Sequence, residues 1–332
     1  MLKLKRDRKT TSYSELRTWT TCRKQWYWKY VLRITPKRVI KAPYFGTLGH
    51  MGLEMLYTNF TMNEIDYSLT GHVKANYIDS QKLFDEDIES FMKVKDDVMQ
   101  VLRNYDEYYG VTGGREEFRV VETEYRFEIP LPRNPVRLMG YIDMIVEDTD
   151  NKLWIMEHKF PKAFKDPEWT DMDGQIGAYQ YAVRRSGFPV VGTIYNQSVQ
   201  KFPKIPKLNN NGAMSRANIY TTWETYKDEL VAQGLDPAEY EGMKDKLNNK
   251  DFFRRHQIYR GETEIERFAD DMNGKIFDMA HSCKHIYRTD NSMICNAMCS
   301  FKNLCSEELR GGDVEWIIDH DFEPKVSNRK KK

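Results

Sequence analysis

The stretch Arg137–Phe160, RLMGYIDMIVEDTDNKLWIMEHKF, decides the fold. Two β-rich runs, 137–147 and 152–160, flank the turn sequence Asp148-Thr149-Asp150-Asn151, so the spacing predicts a β-hairpin. Side chains alternate between the faces of a strand, which puts Glu157 and Lys159 on one face, and Asp143 on the partner strand can reach the same patch. Asp143 is embedded in Ile142, Met144, Ile145 and Val146, and Glu157 follows Leu153-Trp154-Ile155-Met156. Charge at the end of an apolar strand is costly unless it is paired or bound to a metal. Two carboxylates with the backbone carbonyl of His158 would make an oxygen-rich set suited to Mg²⁺ or Mn²⁺. Such an ion lowers the pKa of bound water and stabilises charge on a phosphate, and a neighbouring lysine can orient the attacking water. A surface hairpin with a plain Glu–Lys ion pair fits these three residues equally well.

Upstream, Ser12-Tyr13-Ser14-Glu15 reads as a capping box opening an aromatic-rich helix with Leu16, Trp19, Cys22, Tyr27 and Tyr30. Residues 44–60 and about 81–109 read as further helices, the second with Phe91, Val94, Val98, Val101, Leu102 and Tyr105 at helical spacing. A strand is expected over 118–130. Downstream, an amphipathic helix is expected at about 171–185 and a strand at 190–197, after the Ser186-Gly187-Phe188-Pro189 break. Residues 200–215 read as an exposed loop, 219–250 and 262–284 as charged helices, and 285–332 as an irregular cysteine-bearing segment.

The 332 residues are 40% hydrophobic and 30% charged, as in a globular chain. No apolar run approaches the ~20 residues of a membrane span, and the basic N-terminus lacks the apolar core of a secretory signal. A cytoplasmic location without membrane contact is the expectation. With 51 Lys+Arg against 50 Asp+Glu, the net charge of +1 announces no nucleic-acid partner, so any basic surface must be local. Candidates to contact phosphates are Lys201, Lys204, Arg254, Arg255 and Arg260, with Tyr195 or Phe253 able to stack on a base. Solvated faces and ordinary core aromatics account for the same residues.

Five cysteines in such a chain point to metal or redox roles rather than disulfides. Cys295-x3-Cys299-x5-Cys305 forms a compact triad suited to zinc or an iron–sulfur cluster, with Cys22 or Cys283 as the fourth ligand.

Taken in order, Phe45-Gly46-x-x-x-His50, Gly140-x-x-Asp143, Glu157-x-Lys159 and Gln175-x-x-x-Tyr179 resemble the PD-(D/E)XK nuclease superfamily. They look like its RecB-like branch, which includes CRISPR-associated exonucleases and phage nucleases. Ile142 stands before Asp143 where the strict motif has proline. The resemblance implies Asp143, Glu157, Lys159, Gln175 and Tyr179 as catalytic residues. It implies His50 as an additional metal ligand beside Asp143, Glu157 and the His158 carbonyl, with Glu54 a weaker candidate. It also implies a [4Fe–4S] cluster on Cys22, Cys295, Cys299 and Cys305, leaving Cys283 as a spare thiol; the x3 spacing departs from the x2 of many members.

The fold expected from the resemblance is α/β, a restriction-endonuclease-like core with a mixed central sheet flanked by helices, a helical insertion and a cysteine-ligated cluster cap. Its expected parts are an N-terminal helical region over 1–110, the nuclease core sheet over 111–200, a helical insertion over 201–284 and a cluster-binding region with a basic tail over 285–332. The implied function is metal-dependent hydrolysis of DNA phosphodiester bonds by an exonuclease acting on single strands or duplex ends. Phage recombination, replication or DNA processing is the implied setting, with recombination or replication proteins as partners. A structure-selective endonuclease and a non-catalytic DNA-binding subunit are the competing readings.

Overall fold

The computed structural model describes residues 9–37, 41–79, 85–217, 219–247, 252–281 and 286–325. Cys283 and the basic tail Arg329–Lys332 lie outside them. The chain opens with β1 (Thr10–Thr11) and α1 (Tyr13–Thr21), where Ser12 caps the helix by accepting from the Glu15 amide. The Glu15 carboxylate is buried and takes the Trp26 indole N–H at 3.0 Å, which ties α1 to α2 (Arg23–Trp26). A π-turn follows at Tyr27–Val31, then β2 (Ile34–Pro36).

Three helices form one layer: α3 (Lys41–Tyr57), α4 (Met62–Val73) and α5 (Asp85–Tyr109). A full Thr61/Glu64 capping box begins α4. Along α5, Phe91, Val98, Leu102 and Tyr105 recur at seven-, four- and three-residue intervals and face inward. Lys95 on the same helix pairs with Asp66 of α4 at 2.6 Å.

The strands β3 (Arg119–Ile129), β4 (Arg137–Glu147) and β5 (Leu153–Lys159) form an antiparallel meander. Asp148 closes the β4–β5 turn by accepting from the amides of Asp150 and Lys152, each at 2.9 Å. A crossover through α6 (Pro167–Asp171) and α7 (Gly174–Arg185) places β6 (Gly192–Ser198) parallel to β5. After α8 (Trp223–Ala232) and α9 (Lys244–Leu247) the chain returns as β7 (Phe253–Tyr259), antiparallel to β6. The mixed sheet runs β1-β4-β5-β6-β7, with β3 also paired to β4. The strand β7 lies within FFRRHQIYR, whose charges disguise an alternating edge strand. Helix α10 (Glu262–His281) packs on α7.

One apolar core lies between the sheet and α1, α7 and α10, and includes Leu16, Ile142, Ile155, Ala182 and Ile276. The other lies between the sheet and α3 to α5, and includes Leu48, Leu102, Met144, Met156 and Ile194. A small third core joins Met214, Tyr226, Leu230, Tyr240, Met243 and Leu247. The expected α/β architecture with a mixed sheet between helices is therefore present.

The expected cysteine-ligated cap requires correction. The C-terminal segment forms α11 (Lys302–Arg310), α12 (Val314–Asp321) and β8 (Phe322–Pro324), and β8 pairs with β2. Phe301 stacks on Phe322 with centroids 5.3 Å apart and meets Trp28 at 5.7 Å, so apolar packing joins the two ends of the chain. Cys22, Cys295, Cys299 and Cys305 are free thiols, and among the described residues no group of three or more His, Cys, Asp or Glu is arranged to hold a metal ion. The thiols have other engagements: Cys22 Sγ accepts from the Gln25 amide at 3.5 Å, and Cys305 Sγ accepts from Arg288 Nε at 3.1 Å. Burial, and then the neighbouring thiols of Cys22, Cys295 and Cys305, raise the pKa of Cys299 and favour its protonated form. The [4Fe–4S] expectation is withdrawn on these grounds.

Candidate active site

Between Ile142, which packs with the first core, and Met144, which packs with the second, β4 turns its even-numbered side chains from one face to the other. The partner strand carries Glu124 at φ +46°, between the Thr123–Met144 and Tyr125–Ile142 pairs. A left-handed residue inside a strand is strained and marks a local kink. Asp143 sits at this seam, where it meets groups from both layers. Its Oδ2 accepts from the His158 amide at 2.8 Å and lies 3.2 Å from His50 Nδ1 of α3. Gly140, three residues earlier, is required by packing, because a Cβ there would lie 2.5 Å from the Phe127 ring. Gly49 has the same relation to Phe160, which keeps α3 close enough for His50 to reach the carboxylate.

On β5, Glu157 Oε1 accepts from Lys159 Nζ at 2.5 Å, while Glu157 Oε2 is buried with no hydrogen-bond partner. Burial, reinforced by the nearby Asp143 charge, pushes the Glu157 carboxyl up to about 7. Burial opposes the charge on Lys159, but Glu157 and Asp143 outweigh it and raise the lysine further. The same contest at Asp143 ends the other way for a carboxylate: burial would raise it, yet His50 holds it well below the usual range. His50 is raised in turn, its burial outweighed by Asp143.

From α7, Gln175 Nε2 donates to the Tyr179 hydroxyl at 2.9 Å. The Tyr179 phenol is raised by burial first and then by Glu157, which places it beside the carboxylates. Asp143, Glu157, Lys159, His50, Gln175 and Tyr179 are thus brought together.

Sheet register separates three rows of side chains, two in front of this centre and one behind it. Glu157–Tyr195–His256 and Lys159–Gln197–Arg254 face the front, and His158–Asn196–Arg255 faces the back. Arg255 therefore points inward. Its Nη1 and Nη2 donate to the two Glu116 carboxylate oxygens at 2.7 and 2.6 Å, and Nη2 also donates to the hydroxyls of Tyr57 and Tyr105. Asn196 Nδ2 bridges Tyr105 at 2.8 Å and His158 Nδ1 at 2.7 Å. Burial pushes His158 down to about 3, so the ring is a neutral acceptor. The sequence reading did not find this network, although Asn196 inside an apolar strand was its visible signal.

Arg254 lies over the Phe164 ring at 4.3 Å, Lys201 over Tyr220 at 4.7 Å, and Lys204 is exposed with its amide bonded to the Tyr220 carbonyl. Arg260 is buried and bonds the Asp171 carbonyl and Glu264, a structural role.

The expected Mg²⁺ or Mn²⁺ ligand set also requires correction. His50 and the His158 amide engage Asp143, and Lys159 engages Glu157, so the side chains do not converge as three ligands. Among the described residues no such group is formed.

A solved structure described as "Crystal structure of SSO0001" is similar at 12% identity, covering 70% of this chain and 78% of that one, with a TM-score of 0.28; at that score it carries no argument. No curated protein matches the sequence. The model of the PD-(D/E)XK nuclease superfamily matches residues 10–306, most of the chain. The kinked strand, the carboxylate pair and the lysine lie within that span, and the chain belongs to the PD-(D/E)XK nuclease superfamily.

Proposed function

We propose that this protein hydrolyses phosphodiester bonds of DNA at the Asp143–Glu157–Lys159 centre, as an exonuclease acting on single strands or duplex ends. The observation that carries the reading is the juxtaposition of Lys159 Nζ with a buried Glu157 whose second oxygen has no partner. That oxygen can accept a proton from a water held beside the carboxylates. The oxygen of that water bonds to phosphorus and the bond to the leaving oxygen breaks; the leaving alkoxide takes a proton from solvent. Lys159, held cationic, faces the charge that builds on the phosphoryl oxygens. Asp143 fixes the β5 backbone through the His158 amide. Gln175 and Tyr179 set the edge of the site nearest α7.

The presence of Asp143, Glu157 and Lys159 on adjacent strands, with Glu157 and Lys159 paired, favours an enzyme over a non-catalytic DNA-binding subunit. End-labelled linear and circular single-stranded DNA, incubated in chelator and in a series of divalent cations, provide the test. Linear DNA should be degraded by the wild type and spared by Asp143→Ala and Lys159→Ala. Equal degradation by all three proteins would remove the site assignment, and cleavage of the circle would replace the exonuclease with an endonuclease. A phage replication or recombination setting rests on the RecB-like motifs and would be supported by degradation of duplex ends.

A further inference from the structure

A cavity of about 490 Å³ is lined by Tyr13, Arg17, Lys165, Trp169, Met172 and Asp173 among others. Its size suits one small ligand or one unit of a polymer. Trp169 is 80% exposed and Met172 78% exposed, an unusual investment of large apolar surface on one short segment. Arg17 and Lys165 are exposed cations on the same rim. Of the two acids in the lining, Asp166 accepts from the Glu168 amide and Asp173 from the Gln175 amide, so both carboxylates serve as helix caps.

One hydrogen bond and one helix cap tie the cavity lining to the front row of the sheet and to α7. The Lys165 amide donates to Gln197 Oε1 at 2.9 Å, and Gln197 pairs with Lys159 on β5. Asp173, in the lining, caps the helix that carries Gln175 and Tyr179. Tyr195 is fully buried, its hydroxyl has no hydrogen-bond partner, and it lies within electrostatic range of Lys159, Asp173, Glu157 and Arg17.

We infer that this cavity binds the nucleotide next to the scissile phosphate of a single-stranded DNA substrate, with its base stacked on Trp169 and its phosphate held by Arg17 and Lys165. The inference rests on the nuclease reading and names the strand-binding site of that same centre. Stacking on an aromatic tolerates any base and weakens by roughly 5- to 100-fold when the ring is removed. A phosphate contact shows instead in the salt dependence of binding.

The test measures anisotropy of fluorescein-labelled (dT)12, and of the same oligomer with abasic units, on the Lys159→Ala protein so that no cutting intervenes. Trp169→Ala in that background should weaken (dT)12 binding roughly 5- to 100-fold and leave the abasic oligomer unaffected. Trp169→Phe should restore most of the loss, and Arg17→Gln should lower the slope of log affinity against log salt by about 0.7. Cleavage by proteins with Lys159 intact is measured in parallel. Unchanged (dT)12 affinity in Trp169→Ala, with wild-type cleavage present, overturns the strand site and leaves the nuclease reading standing. Trp169-dependent binding without wild-type cleavage supports the strand site and overturns the nuclease reading. An equal loss on abasic and normal strands removes the stacking role, and absence of any DNA binding overturns both.

Discussion

Glu116→Gln tests the buried network behind the sheet most directly. The Glu116 side chain is 6% exposed and that of Arg255 13% exposed, and each carboxylate oxygen takes one guanidinium nitrogen. Glutamine offers one acceptor and one donor, so whichever way the amide turns, its NH₂ faces an Arg255 amino group. The arginine charge then stays buried without a counter-charge, and breaking one side of such a pair costs about 3–5 kcal/mol. Unfolding entropy near 2.1 cal/mol/K per residue gives about 0.7 kcal/mol/K for 332 residues, so Tm should fall by about 4–7 °C. Calorimetric melts of Glu116→Gln, and of the cycle Glu116→Leu, Arg255→Met and the double variant, measure it. The double variant should recover part of the loss, because no unpaired charge remains and the Tyr57 and Tyr105 hydroxyls still bond each other at 2.9 Å. A single variant melting within about 1 °C of the wild type, or a double variant no better than the sum of its singles, would refute the reasoning.

Glu157 has a folded pKa near 7, above its unfolded value. It therefore adds stability at low pH that is lost as pH rises from about 4.5 through 7. Relative to Glu157→Gln, the wild type should lose about 3 kcal/mol over that window in urea titrations, and a flat difference would contradict the burial of this carboxyl with one oxygen unpartnered. His158 titrates in the opposite sense: folded near 3, it leaves the unfolded chain to take up a proton below about 6.5, so stability falls with acid. His158→Gln should flatten that acid limb, and an unchanged limb would show the ring to be solvated. Gly140→Ala should cost about 1–3 kcal/mol by driving a methyl into the Phe127 ring, and chemical denaturation of the variant measures it.

The hairpin β4–β5 was legible because its alternation and its turn agree, and Glu157 and Lys159 fall on one face as strand parity requires. Strand parity alone does not place Asp143, since the face switch between Ile142 and Met144 breaks it and no residue type announces that switch. The charged run Arg254-Arg255-His256 hid β7, and only register shows that Arg254 and Arg255 face opposite ways. Helix α4 was overlooked although Thr61-x-x-Glu64 carries its capping signal. The cysteine spacing suggested ligands, whereas the segment is held by Phe301, Leu304 and Phe322, and the Trp28 ring that Phe301 meets lies some 270 positions away and cannot be inferred locally.

The pairing of β2 with β8 joins Ile34–Pro36 to Phe322–Pro324, and the Lys37 amide bonds the Asp321 carbonyl while the Lys325 amide bonds that of Arg33. On a ribosome the first of these partners waits for the last. Nearly 290 residues separate them, and synthesis at roughly 5–20 residues per second spaces their emergence by on the order of 15–60 s. Throughout that interval Ile34 lacks its strand partner, so the segment around β2 stays accessible to chaperones until residues 322–324 have emerged.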